Sequence, residues 1–221
     1  MVTTSHITKK LLKDKLFIQE ALAKGLVNIG ALAEYLQPDI ERELGTKTKL
    51  AAISMSIRRF VEQNEEFIHK IQLSRKSNLL IKSNLYKISV LKSPNIYKKL
   101  IKLYEEVDFN QNDTLNIIQG NYEILIITND QYKERFLEIL KDETIKKTKE
   151  NISSISIKIP QENIEHPGFY FAITKTFANE NISILDIVNT ETEATFLLED
   201  KDISKTYDLL KKEISFEQYK K

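Results

Sequence analysis

Two groups of residues have types and spacings that could do chemistry. The first is Gly168, at the end of the loop Pro160–Gly168, where an apolar helical series (Phe169, Ile173, Phe177) begins. A helix start offers unpaired N–H groups and a partial positive charge, which suits a carboxylate. Glycine there lets a ligand reach the backbone with no Cβ in the way. The second group is cationic. Lys47, Lys49, Arg58 and Arg59, with Ser54 and Ser56, alternate with an inward stripe of Leu50, Ile53, Ile57, Phe60 and Val61; Lys70, Arg75 and Lys76 follow at an expected hairpin tip. Such cations neutralise phosphates, and arginine reads guanine edges bidentately. Catalysis finds no comparable grouping. The three histidines (His6, His69, His166) are far apart, there is no cysteine, and the five glycines are scattered singly, not gathered into a phosphate loop. The reading is of a chain with no catalytic residues, no metal and no cofactor.

The elements that must position these residues follow from hydrophobic period. A first helix is expected from Thr4 to Ala23, with Ile7, Leu11, Leu12, Phe17, Ile18, Ala21 and Leu22 inward and Gly25 as its C-cap. Asn28 caps a second helix, which Pro38 interrupts and Gly45 ends. A third, capped by Thr46 or Thr48, reaches Gln63. The period then changes to two. Phe67–Leu73, Leu79–Ile81 and Leu85–Val90 read as short strands separated by Ser-Arg-Lys-Ser and Ser-Asn turns. From Tyr86 a β-α-β-β-α pattern occurs twice, about seventy residues apart. The earlier copy reads Tyr86, Ile88, Val90, then Ile96, Leu100, Ile101, Tyr104, then Leu115, Ile117, then Ile124, Ile126, then Tyr132, Phe136, Leu140. In the later copy Ile155, Ile157 and Ile159 precede the helix at Gly168, Ile182, Ile184 and Ile187 form the second strand, and Ala194, Phe196 and Leu198 the third. Ile203, Tyr207, Leu210 and Ile214 mark the last helix.

Three helices followed by a hairpin is the order of a winged helix-turn-helix. Gly25–Leu36 and Thr48–Phe60 resemble its two helices, although the joint Pro38–Lys47 is longer than the usual three or four residues. From Tyr86 onward the duplicated unit resembles tandem ACT domains, ferredoxin-like amino-acid sensors. The resemblance is carried by His166-Pro-Gly-Phe-Tyr-Phe-Ala-Ile173, Phe177-Ala-Asn-Glu-Asn-Ile-Ser-Ile184 and Asn189-Thr-Glu-Thr-Glu-Ala-Thr-Phe196, which are similar to the ACT segment of aspartate kinases. It implies an α+β chain with a winged-helix-like domain over residues 1–82 and βαββαβ domains over 83–150 and 151–221. It also implies ligand contacts from Asn163, His166, Gly168 and Asn181. In the earlier copy Ser93-Pro94 stands in the glycine's place, a good N-cap and N1 pair.

Composition is consistent with this. Of 221 residues 41% are hydrophobic and 29% charged, enough apolar content for packed cores. Residues 1–76 hold 13 Lys/Arg against 9 Asp/Glu and the rest 20 against 23, so a net of +1 hides a basic front and an acidic back. No apolar run approaches the roughly 18 residues that span a bilayer. The expectation is a cytoplasmic regulator of transcription that senses an amino acid or similar small effector. It would bind double-stranded DNA through Lys47, Lys49, Arg58, Arg59, Arg75 and Lys76 and act as a homodimer or higher homo-oligomer. The alternative is an amino-acid-binding adaptor that regulates a partner enzyme and does not touch DNA.

Overall fold

The computed structural model describes residues 3–63, 78–161, 164 and 168–215, in two compact units, Met1–Gln72 and Leu73–Lys221. Among the described residues the first unit holds four helices: α1 (Thr4–Lys13), α2 (Leu16–Ala23), α3 (Ile29–Leu44) and α4 (Leu50–Gln63). Ile7, Leu12, Leu22, Leu32, Leu36, Ile40, Ile53, Ile57 and Phe60 form one buried core. The predicted first helix is in fact two. The chain breaks after Lys13, and the buried Gln19 side chain donates its amide to the freed carbonyls of Leu12 (2.8 Å) and Lys13 (2.7 Å). The break turns Phe17, expected inside, out to 69% exposure.

The caps behave as their residue types dictate. Gly25 lies at φ 67° and Leu26 N–H donates back to the carbonyl of Ala21, closing α2. The Asn28 side chain accepts from Ala31 N–H at 3.1 Å. Pro38, however, does not interrupt α3. One missing N–H costs about 3 kcal/mol, and the buried Leu32, Ala33, Leu36 and Ile40 on the same helix outweigh it. The joint to α4 therefore shrinks from the expected Pro38–Lys47 to Gly45–Lys49. Glu41 accepts from Thr48 N–H at 2.9 Å, and Gln37 donates to Thr48 O at 2.9 Å, pinning that joint.

Among the described residues the second unit is a six-stranded antiparallel sheet with helices. In chain order it contains β1 (Leu79–Leu91), α5 (Ile96–Glu106), β2 (Leu115–Gln119), β3 (Glu123–Asn129), α6 (Lys133–Ile139), β4 (Ile145–Lys158), α7 (Phe169–Asn179), β5 (Asp186–Asn189), β6 (Glu193–Glu199) and α8 (Asp200–Ser215). The strand order is β2-β3-β1-β4-β6-β5. Alternation along the strands gives each half its own core under two helices. Tyr86, Ile88, Val90, Ile124 and Ile126 lie under α5 and α6; Ile155, Ile157, Ala194, Phe196 and Leu198 lie under α7 and α8. A further cluster, Leu85, Ile127, Ile152 and Leu197, uses the alternate residues and draws on both halves.

The two long strands serve both halves. Lys87–Val90 pair with the start of β4, while Leu79–Lys82 pair with Ser154–Ile157 and so complete the second half from the other end of β1. The predicted turn at Ser83-Asn84 is instead a bend inside β1: Asn84 takes φ 56° and the register shifts on either side of Leu85. Asn151 does the same in β4 at φ 54°. The predicted boundaries at 82/83 and 150/151 thus fall inside continuous strands. The strand predicted at Phe67–Leu73 lies outside the described residues.

Candidate functional site

Gly168 is the N-cap of α7, at φ 93° and ψ −2°, with no side-chain hydrogen bond capping the helix. An L side chain there would press its Cβ against the backbone, which is why this position takes glycine. The first intrahelical bond runs from Ala172 N–H to Gly168 O at 2.9 Å. The amides of Phe169, Tyr170 and Phe171 therefore point out of the helix start without an intrahelical acceptor. Tyr170 and Phe171 are partly exposed, and the Lys175 ammonium lies 5.7 Å from the Phe171 ring. The arrangement can accept a carboxylate on backbone donors beside an aromatic wall.

Of the other predicted ligand contacts, Asn163 and His166 lie outside the described residues. Asn181 stands at the far end of α7. It adopts φ 55° one residue past the C-cap, donating its N–H to Ala178 O (3.1 Å), and Ile182 N–H reaches Phe177 O (2.9 Å). This is a left-handed helix stop, satisfied by the backbone. Eleven helical residues, roughly 16 Å, separate it from Gly168. One chain does not bring the two together.

In the first half the expected N-cap and N1 pair Ser93-Pro94 instead lies ahead of the helix: α5 begins at Ile96 with Asn95 as its N-cap and no side-chain capping hydrogen bond. Ser93 Oγ accepts from Asn95 N–H at 3.3 Å and Ser93 O from Ile96 N–H. Lys99 nearby is already paired with Asp142 (3.3 Å) and Glu143 (3.4 Å).

In the helical unit Lys47 and Lys49 sit on the joint before α4, and Arg58 and Arg59 on its later turns; all four are exposed. Ser56, expected outward, is buried and donates to Ala52 O at 2.9 Å. The outward face of the first two turns is Ala51, Ala52 and Met55, which offer no hydrogen bond to a base edge. Arg75 and Lys76 lie outside the described residues. Among the described residues no group of three or more His, Cys, Asp or Glu could hold a metal, and no helix is long and apolar enough to cross a membrane.

Sequence reasoning also missed a surface. It put Ile101 and Tyr104 in the core, but α5 buries Ile96, Leu100 and Leu103 and exposes Tyr97, Ile101 and Tyr104. The signal was there: two apolar series at i, i+4, i+7, offset by one residue, are wider than one sheet contact needs.

No family model matches this chain, and no curated protein does. Solved structures do. The chain is similar to the aspartate kinase of Clostridium acetobutylicum (TM-score 0.53, 15% identity), with 62% of this chain and 34% of that one covered. It is similar to the regulatory subunit of aspartate kinase from Thermus thermophilus (TM-score 0.50, 12% identity), covering 62% of this chain and 97% of that subunit. The shared part has the fold of an aspartate kinase regulatory subunit. This chain spans about a third of the Clostridium enzyme. At these identities the likeness is one of architecture, a mixed helix-and-sheet fold.

Proposed function

We propose that this chain is a non-catalytic, ligand-responsive regulator that binds a free amino acid at the start of α7. The observation that carries the reading is Gly168 at the start of α7, at φ 93°, which puts no Cβ beside the amides of Phe169–Phe171. The α-carboxylate would accept from the amides of Phe169–Phe171, and Gly168 gives it room. His166 and Asn163 belong to the same loop and are proposed contacts. Asn181, at the other end of the helix, would reach a ligand only from a second chain.

The test is a thermal-shift screen of the full chain with the twenty amino acids. A ligand at 100 times its dissociation constant stabilises by about 2.7 kcal/mol, and Gly168→Val abolishes the shift. No shift with any of the twenty overturns the reading.

A second reading makes the helical unit a DNA-binding output. The short joint Gly45–Lys49 and the exposed Lys47, Lys49, Arg58 and Arg59 favour it. With Ala51, Ala52 and Met55 on the leading face, that binding would rest on phosphates. Its affinity would fall steeply with salt and differ little between sequences. Protein that fails to retard any duplex at low salt leaves the adaptor alternative, in which this unit meets a partner enzyme.

A further inference from the structure

One ion pair joins the two halves of the sheet across its bend. Lys87 follows Leu85 at period two, so it faces the cluster of Leu85, Ile127, Ile152 and Leu197 that both halves share. Its ammonium is paired with Asp186, the first residue of β5, and the two side chains are only 17% and 24% exposed. Lys149, opposite Lys87 on β4, is held by Glu199 at 2.7 Å. Asp186 is therefore the carboxylate that answers Lys87.

A flat sheet could not make this pair. Lys87 stands opposite Lys149, whereas Asp186 stands opposite Leu197, and Leu197 opposite Ser154. Three strand spacings would separate Lys87 from Asp186, about 14 Å across, and the run from Lys149 to Ser154 would add about 16 Å along the strands. The two side chains together do not span that diagonal. They meet because β1 and β4 bend at Asn84 and Asn151 and fold one half of the sheet over the other.

The joint so closed is thin. Among the described residues each half buries eleven residues in its own core, and the cluster between them buries four. The register of β1 on β4 shifts on either side of Leu85, so the ladder is irregular where the strands bend. A few residues that absorb a large backbone change make a hinge. Nor does the pseudo-symmetry repeat the pair. With Asn84 set on Asn151, Lys87 corresponds to Ser154 and Asp186 to Asn116, and neither counterpart is charged. The joint is held by charge on one side, where the connection from α7 enters β5. We infer that Lys87 and Asp186 are a latch that fixes the angle at which the two halves of the sheet fold together about Asn84 and Asn151.

The full chain has no cysteine, so paired spin labels can measure that angle. Lys102→Cys on α5 and Ser204→Cys on α8, both exposed positions, carry the labels, and labelled protein is diluted into unlabelled chain so that distances within one chain are read. The otherwise unaltered chain gives one narrow distance. Lys87→Met and Asp186→Asn each strand a poorly hydrated partner, and most chains leave that distance. Asp186→Lys, which sets like charges together, gives the largest loss, and Lys87→Glu/Asp186→Lys restores the narrow distance. Circular dichroism stays unchanged throughout, because the cores of the halves do not include the pair. A distance unmoved in every variant, or a swapped pair as spread as the single variants, overturns the inference. So does loss of the circular dichroism spectrum in the single variants, since the pair would then hold the fold and not the angle.

Discussion

In the first half of the sheet unit Asn95 is the N-cap of α5 and Ser93 O accepts from Ile96 N–H, whereas in the second half the N-cap of α7 is Gly168 at φ 93°. Their outward faces differ too. Ile96 and Leu100 of α5 match Phe169 and Ile173 of α7 as buried positions, so the exposed Ile101 corresponds to Thr174. Thr174 returns its hydroxyl to Tyr170 O at 2.8 Å and offers no apolar contact outward. The first half carries an apolar stripe on the outer face of α5, and α7 has Thr174 where that stripe has Ile101.

The largest effect to be read from this comparison concerns whether the halves fold together. Phe177 and Phe136 are fully buried, Phe177 edge-on to Phe196 with ring centroids 5.2 Å apart. Phe177→Ala and Phe136→Ala should each cost about 3–5 kcal/mol. Because β1 and β4 belong to both halves, each substitution should lower one shared urea transition, with amide exchange protection falling in both. Protection that survives in the first half of the Phe177→Ala variant would make the halves separate domains and dissolve the comparison.

A middle-sized effect tests the symmetry itself. Asn84 and Asn151 hold left-handed φ values at corresponding bends. A β-branched residue at either site should cost roughly 1–2 kcal/mol, and glycine close to nothing. Equal penalties for Asn84→Val and Asn151→Val, measured by denaturation, would sharpen the pseudo-symmetry; a penalty at one site alone would break it.

Those bends also show what the sequence made legible and what it hid. Alternation placed the inward residues of most strands but not of β5, where Ile182 and Ile184 precede the strand Asp186–Asn189 and Ile187 is 46% exposed; Gly25, Asn28 and Gly45 marked helix ends because φ and capping demands are local. The bend at Asn84 read as a turn because asparagine suits both. The motif Asn84-Leu85 followed by Ile88-Ser89-Val90, repeated as Asn151-Ile152 followed by Ile155-Ser156-Ile157, was the cue that one backbone feature occurs twice. The break after Lys13 carried no glycine or proline to announce it, since it depends on the Gln19 amide seven residues from Leu12. Period alone also could not say which of two adjacent stripes on α5 meets the sheet. At the candidate site Gly168 was legible from backbone requirements. Asn181 stands at the other end of α7, because sequence proximity to a helix says nothing about which end of that helix a residue occupies.

The smallest effect is electrostatic. Hydrogen bonds from Lys149 and then Lys201 hold the Glu199 carboxyl down to about 2, from an ordinary 4.5. The corresponding end of β3 is the neutral Asn129, which accepts from Thr114 N–H at 2.7 Å. A depressed carboxyl stabilises the fold above its ordinary value, and that contribution is lost as pH falls from there through about 2. Carboxyl-carbon NMR should find Glu199 titrating well below the ordinary 4.5, and Lys149→Met should move it upward. Titration near 4.5 would mean that the ion pairs are open in solution.

The central claim, that the second half binds and the first does not, is tested most directly by amide NMR. The amino acid giving the largest thermal shift is titrated into isotope-labelled full chain. Saturable shifts are expected at Gly168 and Phe169–Phe171, with Asn95 and Ile96 unmoved; shifts centred on Asn95 and Ile96, or equal at both helix starts, would overturn the proposal.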